Sequence, residues 1–178
     1  MNWSKEEIIK QLQSSQQEFI SFCDTIDDNL FFHQPSDKWS IAQNVKHLTI
    51  SATTTRLAFT VPKFIVRIYT GKPNRASRSY DEVVNKYKLK LQQGGKASGI
   101  YIPKTITPQK GKENMFRDFS KAMDRLIHSI GKNYRDDQLD QFLAPHPLLG
   151  KITLRELGYF TIYHTLHHLN IIKERCGK

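Results

Sequence analysis

Apolar residues recur at steps of three and four in four separate stretches, which predicts four amphipathic helices. The first covers residues 4 to 30 and carries Ile8, Ile9, Leu12, Phe19, Phe22, Cys23, Ile26 and Leu30 on one stripe. Ser4 followed by Glu6 and Glu7 suits its start, because acids in a first turn oppose the helix dipole. The run from Phe31 to Asp37, with Pro35 inside it, breaks this helix. A second opens at Trp39-Ser40-Ile41-Ala42-Gln43, where Ser40 and Gln43 make a capping box, and ends near Phe59, ahead of Pro62. A third runs from Glu113 to Ile130 through Met115, Phe116, Phe119, Met123, Leu126 and Ile127, with Gly131 as a natural stop. The last starts at Thr153, boxed with Glu156, and reaches about Arg175.

Between the second and third helices, turn signals at Gly71-Lys72-Pro73, Gly94-Gly95 and Gly111 bracket a short helix from Tyr80 to Leu91. Residues 132 to 151 read as a loop through Ala144-Pro145-His146-Pro147, closed by Gly150. No stretch alternates in the manner of a strand. The expected fold is all-α, a four-helix bundle with one long connection.

The 178 residues suit a single domain, 1–178, large enough to bury a core without disulfides or a structural metal. With 38% hydrophobic and 25% charged residues, neither a disordered chain nor a membrane bundle fits. No apolar run approaches the ~20 residues that span a bilayer, and the first residues lack the marks of a signal peptide. Cys23 and Cys176 lie near opposite ends and form no C-x-x-C pair. The expected setting is the cytoplasm, with both thiols structural. Cys23 falls on the apolar stripe of its helix, and Cys176 stands near the chain end, so neither reads as an activated nucleophile.

Charge is concentrated. The chain carries a formal +10, and residues 62 to 112 hold twelve basic residues against Asp81 and Glu82, so the remainder is neutral. Phe64, Tyr69, Tyr80, Tyr87 and Tyr101 are interleaved with those charges, as in single-strand nucleic-acid binders. No RNP, KH, zinc-knuckle or P-loop pattern accompanies them, so charge alone argues for nucleic acid. The stretch from Phe59 to Tyr69 mixes bulky apolar residues with Lys63 and Arg67, which suits an anionic membrane surface or a packed connector. A solvated connector is the plainest reading of the whole segment.

Three of seven histidines fall in the phrase His164-Thr165-Leu166-His167-His168. On a helix His164 and His168 lie about 40° apart, in the middle of the stripe that carries Leu157, Phe160 and Ile171. His167 sits at its margin. Two imidazoles one turn apart and pointing into a core make half a metal site; the other reading is that each bonds a polar group across the core. His128 points away from its stripe, while His33 and His146 lie in loops and stay open as ligands. His47 is about 120° from the centre of the Ile41, Val45, Leu48, Ala52 stripe, so spacing leaves it on a flank.

The order Trp39-Ser40, His47-Leu48 and a closing His164-x-x-x-His168 resembles the DinB-like superfamily, over nearly the whole chain. That family includes S-transferases dependent on bacillithiol or mycothiol. The resemblance implies a divalent metal, nickel or zinc, on His47, His164 and His168, and with it a metal-dependent enzyme. Thiol S-transfer with a low-molecular-weight thiol, acting on an electrophilic small molecule, and hydrolysis are the activities it brings. It also implies a homodimer. Where the family continues from its final histidine into Gly-Gln-Ile, this chain has Leu169-Asn170-Ile171, which bears on local packing and substrate. The alternative is a stress-related binding module that uses the basic 62–112 segment on an anionic partner, its metal structural or absent.

Overall fold

The computed structural model describes residues 2–177. Its first helix, α1 (Lys5–Asp24), begins where Ser4 Oγ accepts from the Glu7 amide at 3.1 Å. It is shorter than the apolar spacing predicts. Thr25 Oγ1 turns back to the Phe22 carbonyl at 2.8 Å, and Asp27 caps a separate short helix, α2 (Asp28–Phe32), by accepting from the Leu30 amide at 3.0 Å. Local side-chain hydrogen bonds thus end a helix that the apolar stripe alone would continue. The next, α3 (Ile41–Thr60), has the capping box expected of it: Ser40 Oγ accepts from the Gln43 amide, and Gln43 Oε1 accepts from the Ser40 amide at 2.8 Å.

The basic connection is folded for much of its length. Pro62 opens α4 (Lys63–Thr70), which buries Val66 and leaves Phe64, Ile68 and Tyr69 exposed. A second capping box, Ser79 with Glu82, starts α5 (Tyr80–Gln92), where a short helix was expected. A 3-10 turn at Gly99–Tyr101 then brings the chain back against α3. Helix α6 (Lys112–Asn133) runs through Gly131, which does not stop it: a Cβ there would meet only Ile9 Cδ1, at 3.6 Å, and Asn133 Nδ2 anchors the end to the Phe59 carbonyl at 2.8 Å.

The loop expected at 132 to 151 contains a 3-10 turn, Asp137–Asp140, and the start of a β-hairpin. Strand β1 (Leu143–His146) pairs antiparallel with β2 (Gly150–Thr153), Ala144 opposite Ile152. Strands of four residues give too few positions to show alternation, and Pro145 fits because the two-stranded sheet is all edge. Thr153 ends β2 and caps α7 (Leu154–Arg175), whose Glu156 completes the expected box with the Thr153 amide at 3.1 Å.

Helices α1, α3, α6 and α7 form the bundle. Each touches two neighbours: α1 lies against α6 and α7, and α3 lies against the same two. The core between them centres on Leu12, Phe19, Phe119, Leu126, Tyr159 and Leu169, all fully buried. At Gly158, α1 comes so close to α7 that a Cβ would stand 2.9 Å from Ile8 Cγ2. Outside the bundle, α5 packs on α7, and α4 packs on β1. No helix of the described residues is long and apolar enough to cross a membrane.

Candidate metal centre

His47 on α3 and His164 and His168 on α7 converge between the two helices. His164 Nε2 stands 3.0 Å from His47 Nε2 and 3.1 Å from His168 Nε2, with one nitrogen of each ring inside a 4.8 Å group. All three side chains are buried. The flank on which His47 sits faces α7, since α3 packs against both α6 and α7.

Each outer histidine is fixed from behind. His47 Nδ1 lies 2.7 Å from the Tyr101 carbonyl oxygen, which accepts only, so Nδ1 carries the proton and Nε2 a lone pair. His168 Nδ1 lies 2.6 Å from Asn44 Oδ1, while Asn44 Nδ2 donates to the Ser40 carbonyl at 2.8 Å. That orients the carboxamide and gives His168 the same tautomer. Burial pushes the pKa of His47 down, and those of His164 and His168 well down, despite the Tyr101 bond on His47. Three neutral rings therefore meet at their Nε2 atoms. A single proton on His164 Nε2 satisfies one neighbouring lone pair and leaves the other facing a nitrogen.

A small cation resolves that surplus. Three imidazole nitrogens at ~2.1 Å from one ion stand about 3.0 to 3.4 Å apart, close to the separations here. The Nδ1–H groups held by a carbonyl and a carboxamide are the outer partners that metal-bound histidines use. The donor set fits a divalent metal.

The Trp39-Ser40 phrase has a physical role around this cluster. Trp39 packs on His47, ring centroids 5.0 Å apart, and lies parallel to His168 at 6.4 Å; Arg175 holds its carbonyl at 2.6 Å. Ser40 caps α3 and supplies the carbonyl that orients Asn44.

Of the remaining histidines, His33 and His128 are exposed and stand outside the cluster. His167 and His146 are not in it either, but both line a cavity of about 840 Å³ that opens beside His47, His164 and His168. Its walls are mostly apolar, from Val61 and Ile65 near α4, Leu143 of the hairpin and Phe160 of α7. His146 is neutral, its pKa pressed down to about 4 by burial and by nearby Lys86. Tyr87, also on the wall, is raised to about 12 by burial. Spacing could not reveal Asn44 or Tyr101, because one acts through a rotamer and the other through a backbone carbonyl 54 residues away. Both cysteines are free, and burial raises the Cys23 thiol to about 12, so it is no nucleophile at neutral pH.

A four-helix bundle with a buried histidine triad between two helices and an apolar chamber beside it is a fold that comparison with known proteins can place. The model of the DinB superfamily matches residues 11–172, and the chain belongs to that superfamily. Among solved structures it is similar to TT2238, a four-helix bundle protein, with TM-score 0.60 and 13% identity over 96% of this chain and 99% of that one. It is also similar to YfiT from Bacillus subtilis, described as a probable metal-dependent hydrolase with an unusual four-helix bundle topology. There the TM-score is 0.59 and the identity 17%, covering 97% of this chain and 87% of that one. At these identities the likeness is one of fold. No curated protein matches the chain in sequence.

Proposed function

We propose that His47, His164 and His168 hold one divalent ion, nickel or zinc, and that the chain is a metal-dependent enzyme acting on a small molecule. The observation that carries this is the meeting of three neutral Nε2 atoms, two with tautomers fixed from behind, at separations of 3.0 and 3.1 Å. A bound ion would supply Lewis acidity, lowering the pKa of a thiol or a water to near neutral. The chain's own residues do the rest. Asn44 and the Tyr101 carbonyl keep two rings aimed, Trp39 covers them, and the apolar cavity holds the substrate out of water.

Thiol transfer from a low-molecular-weight thiol to an electrophile is the reaction we favour, on the resemblance to the thiol-dependent S-transferases of the superfamily. Hydrolysis is the second reading, supported by the description of YfiT. An assay with and without added thiol separates the two. In the same reading residues 1–178 form one cytoplasmic domain, and the active form is a homodimer.

Elemental analysis of the purified, untagged protein tests the site directly. About one nickel, zinc or similar ion per chain is expected, removed by chelation and regained on reloading. His164→Ala and His168→Ala should lose it, and His128→Ala should keep it. A double variant lacking both imidazoles yet holding full metal would end the assignment.

A further inference from the structure

One wall of the cavity carries polar groups that the metal reading does not use. His146, the last residue of β1, lies on that wall. Its Nδ1 accepts from the backbone amides of Leu148 and Leu149, at 3.2 and 3.1 Å. A ring nitrogen that accepts two N–H bonds carries no proton, so the proton of the neutral imidazole sits on Nε2. Among the described residues no group accepts from that Nε2–H. The ring stands edge-on to Phe160 with centroids 4.2 Å apart, and Phe160 in turn stacks on His164 at 4.9 Å. Tyr87 also meets Phe160 edge-on, at 5.1 Å, and lines the same cavity. Its hydroxyl makes no hydrogen bond among the described residues.

Two neutral donors therefore flank an apolar surface that leads to the triad. Lys96 and Lys151 also line the cavity, but both are exposed residues, Lys151 donating to the Thr70 carbonyl at 2.9 Å, so their charges stay in solvent. The volume suits a drug-sized molecule, and ligand sites of that kind are apolar with a few placed polar groups.

The geometry points to an uncharged, largely apolar substrate of the ketone or ester class, whose oxygen accepts hydrogen bonds from His146 Nε2–H and the Tyr87 hydroxyl. This rests on the cavity being the substrate chamber of the proposed enzyme; it names two residues and a substrate class for that site. The hairpin sets the specificity, because the Leu148 and Leu149 amides lock the tautomer that donates. A protonated or flipped ring would break those bonds.

Three matched probes test this: 2-acetylnaphthalene, 2-ethylnaphthalene and 2-naphthoate, titrated against the metal-loaded protein. The ketone should bind about 25-fold tighter than the hydrocarbon, the worth of two net hydrogen bonds at about 5-fold each, and the carboxylate should not exceed the ketone. In His146→Asn the carboxamide oxygen takes the place of Nδ1 in the turn, so the hairpin keeps its bonds, while the carboxamide N–H stands where Cδ2 was and falls short of the Nε2 position. That variant and Tyr87→Phe should each cut the ketone preference without changing affinity for the hydrocarbon or the metal content. Nitrogen-15 spectra of the wild type should place the His146 proton on Nε2. A preference that survives both substitutions, tighter binding of the carboxylate, or a proton on Nδ1 would overturn the proposal. Metal content on the same samples keeps the two readings apart: ketone preference without metal would sink the metal centre and leave this wall standing.

Discussion

Asn44 joins a helix cap to His168 of the proposed metal centre. Its Nδ2 binds the carbonyl of Ser40, and its Oδ1 fixes the Nδ1–H of His168. Asn44→Ala removes the acceptor and leaves a buried N–H unmatched, freeing the ring to rotate. Loss of such an outer partner costs about 10- to 100-fold in metal affinity, to be measured by competition with a chelator. Asn44→Asp keeps an acceptor at that atom and should keep most of the affinity. The sequence shows two members of the triad openly, because His164 and His168 sit four apart at the centre of an apolar face. It hides His47, since one helix period has one centre while α3 has two neighbours to satisfy. Asn44 is hidden further, being one polar residue among several on α3, and nothing in the spacing tells which carboxamide faces inward.

The start of α7 depends on a carboxylate from inside the helix and two cations from outside it. Glu156 is fully buried; it accepts from the Thr153 amide, from Arg75 at 2.5 and 2.8 Å, and from the Arg78 amide at 2.6 Å. Burial favours its protonated form, but the Arg75 hydrogen bonds and these amides outweigh that and hold its pKa below the ordinary value of 4.5. A carboxylate with a lowered folded pKa contributes stability that is complete above its unfolded pKa and is lost as pH falls through the folded one. Glu156→Gln keeps the box and removes the charge, so it isolates the ion pair. It should cost about 2 kcal/mol at pH 7, the range for hydrogen bonds to charged groups. In urea unfolding followed from pH 7 downward, the gap between wild type and variant should close below about pH 4.5, as the wild-type carboxyl protonates. The capping boxes at Ser40 and Thr153 were legible because they are local, four residues each. The cations that complete the second lie 81 and 78 residues away, on a segment whose charge looks like solvated surface until the fold brings it to α7.

That pairing changes what the basic segment can offer to a partner. The segment's formal excess equals the whole charge of the protein, yet much of it is directed inward. Arg75 and Arg78 meet Glu156, Lys110 meets Asp118 at 3.1 Å, and Lys112 lies near Asp24 and Asp28 while donating to the Ile26 carbonyl at 2.7 Å. Lys63 bonds Gln138 and Lys86 the Leu149 carbonyl, while Arg67 lies over the Phe142 ring. Among the described residues Lys72, Lys96 and Lys104 make no hydrogen bond, ion pair or ring contact. A nucleic-acid surface draws its affinity from cations free to replace counterions, and each phosphate neutralised adds about −0.9 to the slope of log K against log salt. These three, with Lys88 over the Tyr163 ring and Lys90 on Gln93, whose charges no carboxylate offsets, set a slope of about −4.5, against the far steeper one that twelve exposed cations would give. In a titration against duplex DNA at low and near-physiological salt, binding should therefore be weak at the first and absent at the second. A steep slope with measurable affinity at the higher salt would mean that the internal pairs open for phosphate. The start of α7 would then loosen on binding, because Glu156 would lose the cations that hold it ionised, and the anionic-partner reading would replace the enzyme as the account of residues 62 to 112.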